Sequence, residues 1–182
     1  MTCHGEGGEH RASPCGNTAD TCPLYHRRMT FRIARADFSQ PALRSFLQAH
    51  LDDMEHTAPP ESRHALDLAG LQRPGVRLWV AEDGGAVIGT AALAPLSDGW
   101  EELKSMRTDP GRRGEGIAAR LLAHALDDAW LRGAQRVSLE TGSTEFFAPA
   151  RRLYERHGFA VCGPFGSYRL DPNSVYMTRE LV

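Results

Sequence analysis

One segment in the middle of the chain carries the clearest chemical signal: Thr108-Asp109-Pro110-Gly111-Arg112-Arg113-Gly114-Glu115-Gly116-Ile117-Ala118. It reads as a strand running into a glycine-containing loop, with a helix starting at once. Without Cβ atoms the loop can turn its backbone N–H groups toward one spot, beside the positive helix end, which suits a phosphate or pyrophosphate. Gly114-Glu115-Gly116 alone is also what an ordinary turn before a helix looks like. A nucleotide P-loop would need Gly-Lys followed by Ser or Thr, whereas Gly116 precedes Ile117. A dinucleotide fingerprint would accept Ala119 as its third small residue. However, antiparallel hairpins precede this loop, and no acidic residue is convincingly placed on a following strand.

The elements that must position this loop can be read from periodicity. Phe31 and Ile33 alternate with Thr30, Arg32 and Ala34 as a short half-buried strand. Asp37 or Ser39 can cap a helix with Pro41 in its first turn and an apolar stripe of Leu43, Phe46, Leu47, His50 and Leu51. Pro59-Pro60 ends it, and a second short helix is expected from Glu61 toward Leu68. Strands follow at Val76–Ala81, Ala86–Leu93 and Trp100–Thr108, separated by turns at Asp83-Gly84-Gly85 and Ser97-Asp98-Gly99. Ala118, Leu121, Leu122, Ala125 and Ala129 give a helical stripe that Gly133 stops. A strand at Arg136–Thr141 leads to a helix carrying Pro149, Ala150, Leu153, Tyr154 and His157, closed by Gly158. Two final strands lie near Phe159–Cys162 and Val175–Leu181, with Cys162 read as a small core residue. The order β-α-α-β-β-β-α-β-α-β-β describes an α/β layer design with one mixed sheet.

The run Arg113-Gly114-Glu115-Gly116-Ile117-Ala118 resembles the Arg/Gln-x-x-Gly-x-Gly/Ala signature of the GNAT superfamily of N-acetyltransferases. Ala150-Arg151-Arg152-Leu153-Tyr154-Glu155-Arg156-His157-Gly158-Phe159 is similar to that family's Ala-x-x-Leu-Tyr…Gly-Phe segment, and the likeness runs from about Thr30 to Leu181. Glu102–Thr108, Leu139–Ser143 and Cys162–Phe165 resemble a bacterial branch whose substrates are poorly defined. The resemblance implies the GNAT fold, with a mixed, mostly antiparallel central sheet flanked by helices. It also implies transfer of an acetyl group from acetyl-CoA to a primary amine. One departure is Phe147, which stands where many members have Asn.

By the same resemblance, the backbone of Met106, Arg107 and Thr108 pairs with the pantetheine arm. The N–H groups of Gly114, Glu115, Gly116, Ile117, Ala118 and Ala119 hold the pyrophosphate, with Arg113 nearby. Transfer to an amine needs a neutral nucleophile and a protonated leaving thiolate. Tyr154 is the candidate donor to sulfur, although periodicity alone would make it a core aromatic. Glu102 and Glu140 are both candidate bases, with Glu102 preferred; a strand glutamate is otherwise often solvent-facing. The acceptor wall is expected from residues 56–64 and 163–173, with Arg63, His64 and Tyr168 as contacts. An alternative is a module that senses acyl-CoA without turnover.

Bulk properties limit the other classes. With 182 residues, 41% of them hydrophobic, and a formal net charge of −2, the chain suits one globular domain. Nucleic-acid binding by bulk charge is not expected, and Arg27-Arg28 and Arg151-Arg152 are only pairs. No apolar stretch is long enough for a membrane span, and the polar N-terminal stretch lacks the apolar core of a secretory signal, so a cytoplasmic protein is expected. Cys3, Cys15 and Cys22 interleave with His4, His10 and His26 but lack the close Cys-x-x-Cys pairs of zinc modules. Residues 1–28 are therefore read as a disordered extension without metal, and 29–182 as the acetyltransferase domain. An exposed sheet edge could support a homodimer.

Overall fold

The computed structural model describes residues 31–55 and 66–181. The elements are β1 (Arg32–Arg35), α1 (Pro41–Glu55), α2 (Leu68–Leu71), β2 (Arg77–Asp83), β3 (Ala86–Ser97), β4 (Trp100–Thr108), α3 (Ile117–Leu131), β5 (Arg136–Gly142), α4 (Ala148–Arg156), β6 (Ala160–Cys162) and β7 (Ser174–Glu180). They form one seven-stranded sheet in the order β1-β2-β3-β4-β5-β7-β6. Only β4 and β5 run parallel; every other pair is antiparallel.

The expected element order is observed, with three adjustments. The second helix is a single turn at Leu68–Leu71, capped by Asp67 Oδ1 accepting from the Gly70 N–H at 2.7 Å. Leu66 and Asp67 are not helical, and the part of that expectation at residues 61–65 lies outside the described residues, as do the N-terminal cysteines and histidines. Asp37 does not cap α1 directly. It closes a turn by accepting from the Ser39 N–H and hydroxyl at 2.9 and 2.7 Å, one residue before the helix entry at Gln40. Cys162 is half-buried on the edge strand β6, next to exposed Ala160 and Val161, and is not a core residue. A three-residue edge strand offers one neighbour and little cover.

Each face of the sheet buries its own cluster. Leu43 and Leu47 of α1 and Leu71 of α2 pack on Leu78, Val80, Val87 and Ala92. On the other face Ile117, Leu121, Leu122, Ala125 and Ala129 of α3 pack on Trp79, Ile88, Leu93, Val137 and Leu139, joined by Leu153 and Tyr154 of α4. Gly89 lets α3 approach this closely: a Cβ there would stand 2.9 Å from side-chain atoms of both Ile117 and Leu121.

The helix ends show how the glycine signals work. After α3 the Gly133 N–H donates to Trp130 O and the Ala134 N–H to Ala129 O. After α4 the Gly158 N–H donates to Glu155 O and the Phe159 N–H to Tyr154 O. Both glycines have φ of +81°, so both ends are Schellman motifs. In α4 the accompanying apolar contact is the Phe159 ring against Tyr154, with centroids 5.9 Å apart. The Leu-Tyr…Gly-Phe spacing is thus the local device that fixes where the Tyr154 ring stands.

Candidate functional site

The parallel pair in the middle of the sheet comes apart. Trp100–Leu103 of β4 pair with Arg136–Leu139 of β5, and no further rungs form between these strands. From Lys104 onward β4 faces a gap, as do Glu140–Gly142 of β5. A bulge drives the divergence. The β3–β4 register shifts between Thr90 and Ala92, Ser105 takes φ +53°, and the Thr90 hydroxyl donates to Ser105 O at 2.9 Å. A positive φ at a non-glycine residue costs free energy that the surrounding ladder must offset.

The gap opens into a cavity of about 610 Å³. Its walls include Met106, Arg107 and Thr108 of β4, Arg113, Gly114 and Gly116 of the loop, Ile117, Ala118 and Ala119 of α3, and Ala150, Leu153 and Tyr154 of α4. Gly114 and Gly116 have φ of +85° and +73°, and Gly116 is the N-terminal cap of α3 without a side-chain cap bond. The first-turn N–H groups of a helix have no intrahelical partner, so the turn at Ile117 presents donors to this cavity. The loop before it is braced from within. Asp109 Oδ1 accepts from the Gly111 N–H at 2.8 Å, and Arg112 spans to Glu115 and Asp83 at 2.8 and 3.0 Å. Glu115 therefore directs its side chain to Arg112 and not into the cavity wall.

A second cavity, of about 930 Å³, lies beside the loop 163–173. Glu102, Lys104 and Asn173 line both cavities. Strand alternation accounts for the first two: Leu103 enters the α3 core, while Glu102 and Lys104 face the opposite side opposite Ala94 and Ala92. Glu102 is 7% exposed. Its Oε1 accepts from Lys104 Nζ at 2.8 Å and from the Tyr168 hydroxyl at 2.5 Å, and Lys104 Nζ also stands 2.9 Å from that hydroxyl. Burial, then the Glu102 carboxylate, pushes the Tyr168 hydroxyl far above its ordinary pKa, so it remains a donor.

Glu140 lines only the smaller cavity, where its Oε1 accepts from the Ser174 hydroxyl at 2.6 Å. Tyr154 is 6% exposed, and burial followed by the Glu140 charge raises its pKa. Phe147 covers the end of β5; a Cβ on Gly142 would lie 2.1 Å from its ring. Arg151 Nη1 ties the same loop by donating to Gly142 O and Thr144 O at 2.7 and 2.8 Å.

His50 of α1 also faces the smaller cavity, near Arg107 and Asp53. Burial first, then the Arg107 charge, lowers its pKa to about 4. A folded-state pKa below the ordinary 6.5 means the unfolded chain binds the proton more readily. The neutral ring costs nothing above about pH 6.5, and stability is lost as pH falls toward 4. The expected loss is about 3 kcal/mol. Denaturant titrations at pH 7 and pH 4 should show that loss in the wild type and a smaller one in His50→Gln. Equal losses in the two proteins would sink this assignment.

Comparison with known proteins bears on this geometry. The model of the acetyltransferase (GNAT) family matches residues 40–159. The chain belongs to the GNAT acetyltransferase family. It is 45% identical over 137 residues to the uncharacterised N-acetyltransferase YsnE of Bacillus subtilis, covering 75% of this chain and 91% of the relative. It is 42% identical over 151 residues to the uncharacterised N-acetyltransferase YedL of Escherichia coli, covering 83% and 95%. A crystal structure from Klebsiella pneumoniae, assigned as an acyl-CoA N-acyltransferase, superposes with a TM-score of 0.70 at 28% identity, covering 84% of this chain and 99% of that one. This GNAT protein is accordingly an acetyltransferase enzyme that takes its acyl group from acyl-CoA, and the fold is the expected one.

The residues present fit such a cosubstrate. An unpaired strand edge at Lys104–Thr108 can accept an amide-bearing arm, and an uncapped helix turn flanked by Arg113 can accept a pyrophosphate. Every sequence-derived site residue among the described ones borders one of the two cavities, except Glu115. Arg63 and His64 lie outside the described residues. Asn173 closes the expected 163–173 segment, whereas sequence reading passed over Lys104 and His50 as site residues. Lys104 was detectable, two positions from Glu102 on the same strand face; His50 depends on long-range packing.

No described helix of this GNAT enzyme is long and apolar enough to cross a membrane.

Proposed function

We propose that the protein transfers an acetyl group from acetyl-CoA directly to a primary amine, with Glu102 as the base and Tyr154 as the donor to the departing sulfur. The observation that carries this reading is Glu102 at the meeting point of two cavities, one suited to the cosubstrate and one to the acceptor. Acetyl-CoA supplies an activated acyl carbon and a thiolate leaving group. The loop N–H groups and the β4 edge orient it. Glu102 takes one proton from the acceptor ammonium, and the free amine forms an N–C bond as the C–S bond breaks. The nitrogen then loses its second excess proton to solvent, and Tyr154 donates a hydrogen bond to the departing thiolate sulfur. Lys104 and Tyr168 hold the Glu102 carboxylate toward the junction.

Thermal unfolding with acetyl-CoA tests the cosubstrate site. At about 100 times the dissociation constant the gain is roughly 2.7 kcal/mol, or about 5–10 °C for a domain of this size. Free adenosine should give little shift. No shift at millimolar acetyl-CoA, together with no thiol release on any amine, would overturn the reading.

A further inference from the structure

The larger cavity carries information about the acceptor. Three cations line it, Arg73, Lys104 and Arg169, against two carboxylates, Glu102 and Asp171. Lys104 is committed to Glu102 at 2.8 Å. Asp171 Oδ1 accepts from the Asn173 N–H at 2.8 Å within its own turn. Neither Arg73 nor Arg169 has a side-chain hydrogen bond or ion pair among the described residues, so two guanidinium groups remain uncompensated in this cavity. Both are anchored through their backbone. The Arg73 N–H donates to Gly70 O and its carbonyl accepts from the Val76 N–H, while the Tyr176 hydroxyl donates to Arg169 O at 2.6 Å. The same lining includes the apolar side chains of Leu66, Val76, Leu96 and Leu170.

Resting on the amine-acetylation reading above, we propose that the acceptor is an amino acid with an apolar side chain, its carboxylate held by Arg73 and Arg169 and its amine presented to Glu102. Arginine forks match a carboxylate in a bidentate manner. An acceptor with several positive charges would bring one ammonium to Glu102 only by placing another beside an unpaired guanidinium, which is repulsive. An amino carboxylate offers its amine to Glu102 and its carboxylate to the guanidinium groups, and an apolar side chain has Leu66, Val76, Leu96 and Leu170 to pack against.

The experiment compares thiol release from acetyl-CoA with L-leucine, L-leucinamide and spermidine, in the wild type and in an Arg73→Ala/Arg169→Ala double variant. Thermal shifts with acetyl-CoA are recorded for both proteins. The expected result is a kcat/KM for leucine at least tenfold above that for leucinamide, with the ratio falling to near one in the double variant. The acetyl-CoA shift should be the same in both, because neither arginine borders the smaller cavity. If the shift is present but leucinamide or spermidine is used as well as leucine, or leucine is not used, this inference falls and acetyl-CoA binding stands. If neither shift nor thiol release occurs, the underlying reading falls as well.

Discussion

Glu102→Gln is expected to lower kcat by about 10²–10⁴-fold, the usual contribution of a positioned general base, while leaving the acetyl-CoA thermal shift in place. The amide keeps the size of the side chain and can still accept from Lys104 and Tyr168, which now meet Oε1 at 2.8 and 2.5 Å. It cannot take a proton. The deficit should depend on pH in a specific way. Each pH unit below the acceptor ammonium's pKa cuts the free amine about tenfold. Raising the pH supplies the free amine without a base, and the gap between variant and wild type should narrow accordingly. Glu140→Gln should stay within a few-fold of wild type, because Glu140 borders only the smaller cavity and is engaged by Ser174 at 2.6 Å. Near-full turnover in both variants across pH would remove the carboxylate base from the mechanism. A large loss confined to Glu140→Gln would move the role to the neighbouring strand.

The parts of this fold that are local in origin were legible before any coordinates. Gly133 and Gly158 stop their helices because each reaches φ +81° without a Cβ penalty, and Asp83-Gly84-Gly85 makes a hairpin for the same reason. The helical stripe of α3 was read nearly correctly. Ile117, which the stripe left out, is the fully buried first contact, while Ala118 is half-buried against the same core; both also border the cavity, since a 3.6-residue period leaves the first turn ambiguous. What was not legible is tertiary. The Ser105 bulge opens the β4–β5 gap, yet nothing in Lys104-Ser105-Met106 marks it as different from ordinary strand. Cys162 reads as apolar strand, but its burial depends on β6 having a single neighbour. The junction of the two cavities is formed by residues 102, 104 and 173, and Asn173, whose carbonyl O accepts from the Ser143 N–H, reaches it from a loop that Tyr176 anchors at Arg169 O.

Tyr154→Phe is expected to lower kcat by about 10²-fold, with little change in acetyl-CoA affinity or thermal midpoint. The ring packing against Phe159 and Leu153's neighbours is kept, so the variant deletes a donor and not a core contact. The size of the effect follows from where charge develops. A departing thiolate carries a full charge into a cavity whose walls are largely apolar, and one preorganised donor aimed at such a charge is worth about 10²–10³ in rate. Complete proton transfer is a different matter. A thiol has an ordinary pKa near 8.5, and burial raises the Tyr154 phenol above its ordinary 10.0, so handing over the proton would be uphill. In the proposed reaction Tyr154 would therefore act by hydrogen bonding, and the thiolate would take its proton later from solvent. This distinction has a measurable consequence. The wild-type kcat profile should show no alkaline loss attributable to Tyr154 below about pH 10, because the raised pKa keeps the phenol protonated there. An alkaline limb near pH 8–9 that disappears in Tyr154→Phe would mean that the phenol ionises in the working range, and the donor role would have to be replaced by true acid catalysis. Retention of wild-type kcat in the variant would return Tyr154 to the core as a packing residue alone.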